Sequence, residues 1–385
     1  MRVARLAGWK ALLLGAGLTV AGGLVLGAVF ILAGVYNVAA SIPHFAITDR
    51  LIKLALHRSV ATHSMGIEPP DLADEDLVRL GVGHYQLGCA PCHADPTSEA
   101  NPVVGHMYPA PPQLSQAVGK WETAELFWIV KHGFKFTGMP AWPGEHRDDE
   151  VWAVVAFLQR LPQMSATDYR ALAGQSAATG EKEGADFDFT DAPGAGVRSC
   201  ARCHGDENSL PSSDRVPALQ GQNQAYLRRA MDEYRADRRQ SGVMEPIAAA
   251  LGPHELDRLT RYFSEAPRPP SNMPDRDAPQ SAARGEEIAK NGIPGEGIPP
   301  CLACHSGKAS DQFPLLNGLS AEYLSGQLKL WQHGHRNQTA YGAIMATVAR
   351  RLSPEQINDV AAYFASLPGP AAALSEAQAA EGDAP

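Results

Sequence analysis

An all-α chain is the fold class that this sequence predicts, with three small modules placed after an N-terminal transmembrane helix. No charged side chain occurs between Ala11 and Ala40, and an apolar run of that length can cross a bilayer. The pattern Cys-x-x-Cys-His occurs three times in the rest of the chain. The segment that ends each module has apolar residues at the spacing of an amphipathic α-helix.

The N-terminal segment is predicted to be a retained membrane anchor. Arg2, Arg5 and Lys10 precede the apolar run, and this charge pattern places the N-terminus in the cytoplasm and the rest of the chain outside. A cleaved signal peptide with Val38–Ala40 as its cleavage site is the alternative, but its apolar region is usually only about 7 to 15 residues long. Residues 41–73 are mildly amphipathic, which suits a helix on the membrane surface, a contact with a partner subunit, or a connector.

The cysteines of this chain all belong to one pattern. The six cysteines form three motifs with the histidine that follows each pair, namely Cys89, Cys92 and His93, then Cys200, Cys203 and His204, and finally Cys301, Cys304 and His305. In such a motif each cysteine forms a thioether to the porphyrin and the histidine becomes an axial ligand of the iron. A zinc site would pair two motifs and leave the third unused, and a thioredoxin-like site would need a βαβ frame, which the sequence does not show. We therefore expect three covalently bound haem c groups.

Length and composition favour several short domains over one large core. The chain has 385 residues with 36 glycines and 30 prolines, and modules of well under about a hundred residues bury little apolar area on their own. A large apolar macrocycle would supply the missing core of each module. The predicted divisions are residues 1–40 (cytoplasmic N-terminus and anchor), 41–73 (membrane-proximal connector), 74–170 (unit 1), 171–186 (linker), 187–266 (unit 2), 267–280 (Pro-rich linker), 281–369 (unit 3) and 370–385 (disordered tail).

Units 2 and 3 are repeats of each other. Cys200 and Met244 are separated by the same number of residues as Cys301 and Met345, and the segment "ALGPHELDRLTRYFSEAP" matches "RLSPEQINDVAAYFASLP" at the same offset. Between them "VPALQGQNQAYL" matches "FPLLNGLSAEYL" after a four-residue shift. Duplication of one module explains these matches.

The last segment of unit 3 is predicted to be a helix. Ser353 is a suitable N-cap, Pro354 suits the first helical position and Gln356 can complete a capping box. The apolar residues that share one face are Ile357, Val360, Ala361 and Phe364. In unit 1 the segment "DDEVWAVVAFLQRLP" has the same character.

Segments of all three units resemble the class I cytochrome c family. In unit 3 "ARGEEIAKNGIPGEGIPPCLACHSG", "FPLLNGL" and "LSPEQINDVAAYFASLP" resemble one domain of the bacterial diheme class I cytochromes c, and unit 2 resembles their other domain. In unit 1 "LGCAPCHA" and "KHGFKFTGMPAWP" resemble a single-haem class I module. The resemblance covers residues 80–368. It implies a few α-helices around each haem, with the cysteine motif closing the first helix and a C-terminal helix crossing it.

A methionine is predicted as the second axial ligand of each iron, because a thioether opposite histidine raises the reduction potential and suits an electron carrier. Met345 is the only methionine of unit 3, and it aligns in the repeat with Met244 rather than with Met231. The candidates in unit 1 are Met107, Met139 and Met164. Met139 is preferred because "GFKFTGMPAW" resembles the ligand loop of the family.

The resemblance also implies a contact behind each motif histidine. In resembling cytochromes a proline carbonyl accepts a hydrogen bond from the other ring nitrogen of the histidine. The matching prolines in this chain are Pro112, Pro217 and Pro314. Arg239 and Arg336 align in the repeat and either pair with haem propionates or remain solvated. His333 and His335 are rival iron ligands in unit 3 that we expect to lie on the surface.

Iron with both axial positions filled has no open site for oxygen, nitrite or peroxide, so it exchanges single electrons. The sequence therefore predicts an electron carrier, with no catalytic residue of its own, anchored to a bacterial inner membrane with its haem domains in the periplasm. The expected partners are a quinol-oxidising complex or membrane dehydrogenase as donor and a terminal oxidase or reductase as acceptor. The net charge of −9 favours a basic partner and argues against nucleic acid. The alternatives are a cytochrome subunit of a substrate dehydrogenase, or a haem enzyme with one open coordination site.

Overall fold

The computed structural model describes residues 2–173, 195–268 and 279–370. Regular structure in these ranges is helical, apart from an isolated antiparallel bridge between Ile293 and Ile298, so the all-α fold class is confirmed. The helices are α1 (Arg2–Leu32), α2 (Ala46–His63), α3 (Glu75–His84), α4 (Ala90–His93), α5 (Leu114–Ala117), α6 (Thr123–His132), α7 (Asp148–Arg160), α8 (Ala166–Leu172), α9 (Ala195–His204), α10 (Gln224–Arg235), α11 (Met244–Ala250), α12 (Pro253–Glu265), α13 (Pro279–Asn291), α14 (Leu302–His305), α15 (Ala321–Gln332), α16 (Ala340–Ala349) and α17 (Pro354–Ser366).

The N-terminal helix α1 contains one stretch, Ala11–Leu32, whose 22 residues are long and apolar enough to cross a membrane. The side chains of Ala11–Leu32 are exposed. The helix ends at Leu32, before the end of the uncharged run at Ala40, and Gly34 just beyond it adopts a φ of +63°, a left-handed conformation that glycine tolerates at the end of a helix. The membrane anchor therefore stays a prediction that rests on length and composition.

The second half of α2 packs on unit 1. Val60 is fully buried, the His57 ring stacks on Trp121 with ring centroids 4.5 Å apart, and the His63 ring lies 5.7 Å from that of Trp128. These contacts give both histidines an ordinary packing role. They also fix the end of the membrane-proximal segment to the first cysteine-bearing unit.

Unit 1 is built on the crossing of α3 with α7. A Cβ atom placed on Gly81 would lie 2.0 Å from the backbone oxygen of Ala153, so only a glycine lets the two helices approach this closely. The core around this crossing also includes α6 and the π-helical turn Tyr85–Cys89. Its large buried members include Leu77, Val78, Val82, Tyr85, Leu126, Phe127, Val151, Val154, Phe157, Leu158, Leu161 and Tyr169.

The terminal helix of unit 3 forms as predicted. Ser353 and Gln356 make a reciprocal capping box at the start of α17, and Pro354 occupies the first turn. The four apolar residues predicted to share a face, Ile357, Val360, Ala361 and Phe364, are buried. The sequence pattern of this helix was sufficient because its cap, its first turn and its apolar face all agree.

The crossing of α13 with α17 in unit 3 repeats the geometry of unit 1. A Cβ atom on Gly285 would lie 2.0 Å from the backbone oxygen of Asp359. The carboxylate of Asp359 accepts hydrogen bonds from Arg284 at 2.7 Å and from the Ser281 hydroxyl at 2.5 Å. The close backbone contact and the buried carboxylate together define where the two helices meet.

The position of the cysteine motif differs between the repeats. In unit 2 the motif closes the first helix, since α9 ends at His204. In unit 3 the first helix α13 ends at Asn291 and the motif lies on the separate turn α14, so the expectation that the motif closes the first helix is wrong for this unit. The intervening residues include Pro294 and Pro299, which cannot continue a helix.

The unit boundaries remain predictions. The predicted linkers and the predicted acidic tail fall mainly on residues 174–194, 269–278 and 371–385, which lie outside the described residues.

We expect Gly285→Ala to destabilise unit 3, because the new methyl group would clash with backbone atoms of α17, which cannot move away as a flexible side chain can. Overpacking of this kind costs about 1 to 3 kcal/mol. Hydrogen exchange followed by mass spectrometry should be faster in peptides from α13 and α17. Gly295→Ala is the matched control, because a Cβ atom there has nothing within 4 Å. Equal exchange in the two variants would contradict the proposed crossing.

Candidate haem sites

Each motif histidine is held by one hydrogen bond to a proline carbonyl. The three bonds are from Nδ1 of His93 to Pro112, from Nδ1 of His204 to Pro217 and from Nδ1 of His305 to Pro314, each 2.8 Å long. A carbonyl oxygen only accepts, so Nδ1 carries the proton and Nε2 keeps its lone pair. Burial lowers the pKa of all three histidines, although the carbonyl opposes this effect. Each unit therefore presents a neutral imidazole in the tautomer that binds iron.

The first cysteine of each motif has the opposite character to a metal-binding or redox-active thiol. Burial raises the pKa of Cys89 and of Cys200 to about 12, and that of Cys301 to about 11. Zinc sites and thioredoxin-like sites need thiolates, which form where the pKa is lowered. The surroundings of these sulfur atoms suit an uncharged thioether better than a thiolate.

The motifs of units 2 and 3 face one cavity of about 570 Å³. Its lining brings together the predicted haem-binding residues of both units, namely Cys200, Cys203, His204 and Met244 with Cys301, His305 and Met345. The repeat argument preferred Met244 to Met231, yet Met231 lines the same cavity. Proximity to the cavity therefore does not separate the two methionines, and the preference for Met244 continues to rest on the repeat.

Helix α3 of unit 1 also reaches this cavity. Leu80, Gly83 and His84 are part of its lining, and a Cβ atom on Gly83 would lie 3.9 Å from the Sγ atom of Cys203. His84 is only 5% exposed, and neither of its ring nitrogens has a hydrogen-bond partner. Unit 1 therefore covers the cysteine side of the second motif with a helix that leads, one turn later, to the first motif.

Two arginines lie where the parts of the cavity that belong to units 2 and 3 meet. Arg239 is 6% exposed and donates to the hydroxyl groups of Tyr226 and Tyr323 at 3.3 Å, so the alternative that it remains solvated is wrong. Arg336 stacks over the ring of Trp331 at 4.1 Å and donates to Gln327. Neither guanidinium forms an ion pair with a carboxylate in the described part of the chain.

The electrostatics of this junction fit an anionic group. Burial would raise the pKa of Tyr226, but the guanidinium groups of Arg239 and Arg336 lower it to about 8. The indole N–H of Trp331 lines the same cavity and has no hydrogen-bond partner. Two cations and an unpaired donor are the partners that carboxylates seek in a buried site. Haem propionates would meet this need, so the residues present fit the cofactor that the motifs imply.

The candidate site of unit 1 is separate from that cavity. Its methionine segment is a closed loop, because the amide of Phe134 donates to the carbonyl of Met139 at 3.2 Å and the amide of Trp142 donates to that of Lys131 at 2.9 Å. Of the rival methionines, Met164 packs against the core. The other, Met107, lies beside Gly138 in the loop, where its Cε atom would overlap an added Cβ.

His335 lies at a contact between units rather than on an open surface. It is half-buried, and its ring stacks on that of His146 in unit 1 with the centroids 5.2 Å apart. His333, which is exposed, stacks on His335 at 5.9 Å. The expectation of a surface position therefore holds for His333 and is wrong for His335, because the docking of unit 1 covers it.

Sequence reasoning missed the residues by which one unit supports the site of the next. Gln222 of unit 2 donates to the carbonyl of Leu315 at 3.0 Å and accepts from its amide at 2.8 Å, and Asn223 donates to the carbonyl of Phe313 at 2.8 Å. These bonds hold both sides of Pro314, whose carbonyl fixes the motif histidine of unit 3. The sequence did contain one indication of this contact, because polar Gln222 aligns in the repeat with apolar Leu319.

Comparisons with known proteins show which sequences and structures this chain is similar to. Residues 76–158 match the family model described as cytochrome C oxidase, cbb3-type, subunit III. A protein of Stutzerimonas stutzeri named thiosulfate dehydrogenase electron acceptor is 33% identical over 172 residues, which are 44% of this chain and 79% of the relative. Cytochrome c4 of Pseudomonas aeruginosa is 30% identical over 172 residues, which are 44% of this chain and 83% of the relative. A solved structure of cytochrome c4 from Acidithiobacillus ferrooxidans is 31% identical, covers 44% of this chain and 98% of its own, and gives a TM-score of 0.39.

We expect Arg239→Gln to lower the reduction potentials of the haems that the motifs imply for units 2 and 3. Ferric haem carries one more positive charge than ferrous haem, so a nearby buried cation favours the reduced state and its removal favours the oxidised state. An optically monitored redox titration measures the shift. Arg238→Gln is the matched control, because Arg238 is exposed and solvent screens its charge. An equal shift in both variants, or a raised potential in Arg239→Gln, would contradict the assignment.

Proposed function

The chain belongs to the class I cytochrome c family, and on this premise we propose that it is a triheme electron carrier anchored to a bacterial inner membrane with its haem units in the periplasm. Covalently bound haem c supplies one-electron chemistry. In each unit the cysteine pair would hold the haem, and the neutral motif histidine and a methionine would bind its iron. A histidine and a methionine both bound to the iron would leave substrates no access to it.

The cavity shared by units 2 and 3 is the observation that carries the proposal. One space of about 570 Å³ is lined by motif and methionine residues of both units, namely Cys200, Cys203, His204 and Met244 of unit 2 with Cys301, His305 and Met345 of unit 3. Gly83 of unit 1 lies against Cys203 at the edge of this space, and the chain runs from there through a single π-helical turn to Cys89. This arrangement supports a series of haems in the order of units 1, 2 and 3.

The proposed membrane anchor and the proposed electron-transfer partners rest on separate observations. The exposed apolar stretch Ala11–Leu32 supports a single membrane span with Arg2, Arg5 and Lys10 on the cytoplasmic side. The relative named thiosulfate dehydrogenase electron acceptor supports a dehydrogenase as the electron donor. A quinol-oxidising complex is the second candidate donor, and a terminal oxidase or reductase is the proposed acceptor. The net charge of −9 favours docking on a basic surface.

The mature chain should carry three haems that remain attached after denaturation, because thioether bonds do not dissociate. The mass of the intact protein should then exceed the polypeptide mass by three haem groups. The double variant Cys301→Ala, Cys304→Ala should lack one haem and retain the other two. A wild-type chain that carries only two haems would show that one of the three motifs does not bind haem, which would contradict the triheme proposal.

Carbon monoxide distinguishes an electron carrier from a haem enzyme. If Met139, Met244 and Met345 bind iron, the reduced full-length protein should take up carbon monoxide slowly and the oxidised protein should show sulfur-to-iron absorption from three haems. Met345→His should keep its iron six-coordinate and lower the potential of that haem, because imidazole favours ferric iron more than a thioether does. A wild-type protein with one haem that binds carbon monoxide at once would favour the enzyme alternative for that unit.

A further inference from the structure

The methionine loop of unit 2 is held by a carboxylate that belongs to unit 1. Glu150, in the first turn of α7, is only 3% exposed. Its Oε1 atom accepts a hydrogen bond from the Ser241 hydroxyl at 2.7 Å, and its Oε2 atom accepts one from the amide of Gly242 at 2.6 Å. Both partners lie within three residues of Met244, the proposed iron ligand. A buried carboxylate that accepts such bonds makes strong, directional contacts.

The serine passes this restraint on to the methionine. The Oγ atom of Ser241 accepts hydrogen bonds from the amide of Met244 at 3.2 Å and from that of Val243 at 3.4 Å. Helix α11 begins at Met244, and its N-cap residue Val243 has no side chain that can cap it. Ser241 therefore does the work of an N-cap for the helix that carries the methionine. Glu150 in turn fixes the orientation of the Ser241 hydroxyl.

Other groups of unit 1 enclose the same loop. A Cβ atom on Gly242 would lie 2.2 Å from the indole of Trp142, whose Nε1 donates to Glu150 at 3.2 Å. Arg147 donates to the carbonyl of Gln240 at 2.9 Å and pairs with Glu150 at 2.8 Å. The carboxylate is thus fully partnered, and its partners come from both sides of the contact between the units.

Unit 3 provides an internal comparison, because its own residues support its methionine. Helix α16 begins at Ala340, five residues before Met345, and the Thr339 side chain caps it by accepting from the amide of Gly342 at 2.9 Å. Ile344, the repeat counterpart of Val243, is 52% exposed. The helix that carries Met345 is therefore capped within its own unit, although Arg229 of unit 2 stacks over Tyr341 at 4.0 Å, whereas the loop before Met244 is completed by hydrogen bonds to unit 1.

We propose that Glu150 of unit 1 is a positioning residue for the methionine ligand of the second haem, so that ligation in unit 2 depends on the docking of unit 1. The proposal rests on the function proposed above, because it takes Met244 as an iron ligand. Glu150 lines the cavity of units 2 and 3, and it acts on Met244 through its hydrogen bonds to Ser241 and Gly242. Unit 1 thus serves unit 2 in two ways, as the neighbouring electron carrier and as part of its ligand loop.

Replacing Glu150 with glutamine tests this role, because glutamine keeps the volume and removes the charge. One end of its amide is a donor, and that end would face the hydroxyl of Ser241 or the amide of Gly242. In full-length Glu150→Gln we expect sulfur-to-iron absorption to fall by the share of one haem out of three, and the reduced protein to bind carbon monoxide at one haem. Glu145→Gln, the same change at an exposed position of the same segment, should leave both measurements at the wild-type level.

A second variant approaches the same contact from unit 2. Ser241→Ala removes the hydroxyl that links Glu150 to the amide of Met244, and it leaves unit 1 unchanged. It should lower the sulfur-to-iron absorption of the same haem. The double variant should lower this absorption little more than either single variant does, because both changes break one chain of contacts. If Glu150→Gln fails to fold, Ser241→Ala still tests the proposal.

The outcomes separate this inference from the proposed function. Three methionine-ligated haems in the wild type, with unchanged spectra in Glu150→Gln and Ser241→Ala, would overturn the positioning role and leave the electron carrier intact. A wild-type protein whose second haem lacks sulfur-to-iron absorption would instead overturn the ligand assignment on which both rest. Loss of thermal stability with wild-type spectra would assign Glu150 to the packing of unit 1 alone and overturn the proposal.

Discussion

The hydrogen bond from a motif histidine to a proline carbonyl is the interaction on which the organisation of each unit depends. It selects the tautomer, because the carbonyl can only accept, and it fixes the plane of a ring whose burial keeps it neutral. The Nε2 atom then keeps its lone pair, so it is the ring atom that can bind iron. A second iron ligand would come from another segment, and the proposed methionines lie after α6 in unit 1, at the start of α11 in unit 2 and within α16 in unit 3.

The three units are not independent modules joined by linkers. Gln222 and Asn223 of unit 2 bond to the segment of unit 3 that contains Pro314, and Glu150 of unit 1 bonds to the loop that precedes Met244. Each of these contacts acts on a residue that orients a proposed iron ligand. A small displacement of a ligand would change its bond to iron. Contacts between units therefore affect the geometry of the individual sites.

Two arginines place positive charge at the junction of units 2 and 3. Arg239 is buried among tyrosine hydroxyls, and Arg336 lies over an indole ring. Cations in such surroundings are costly unless an anion joins them. Haem propionates would remove this cost, and the cations would in return favour the reduced state of both haems. Cofactor binding and redox tuning therefore depend on the same two side chains.

The sequence by itself determined the three cysteine-histidine motifs, the repeat and the helical character. The Cys-x-x-Cys-His motifs and a terminal helix with a cap such as Ser353 depend on residues close together along the chain, so their spacing carries the information. Tertiary structure decided what depends on docking. The roles of Glu150 and Gln222, the burial of Arg239 and the contact between His335 and His146 join residues about 80 to 190 positions apart or residues whose environment another unit supplies. No periodicity encodes such contacts, because they arise only when whole units pack and water leaves the space between them.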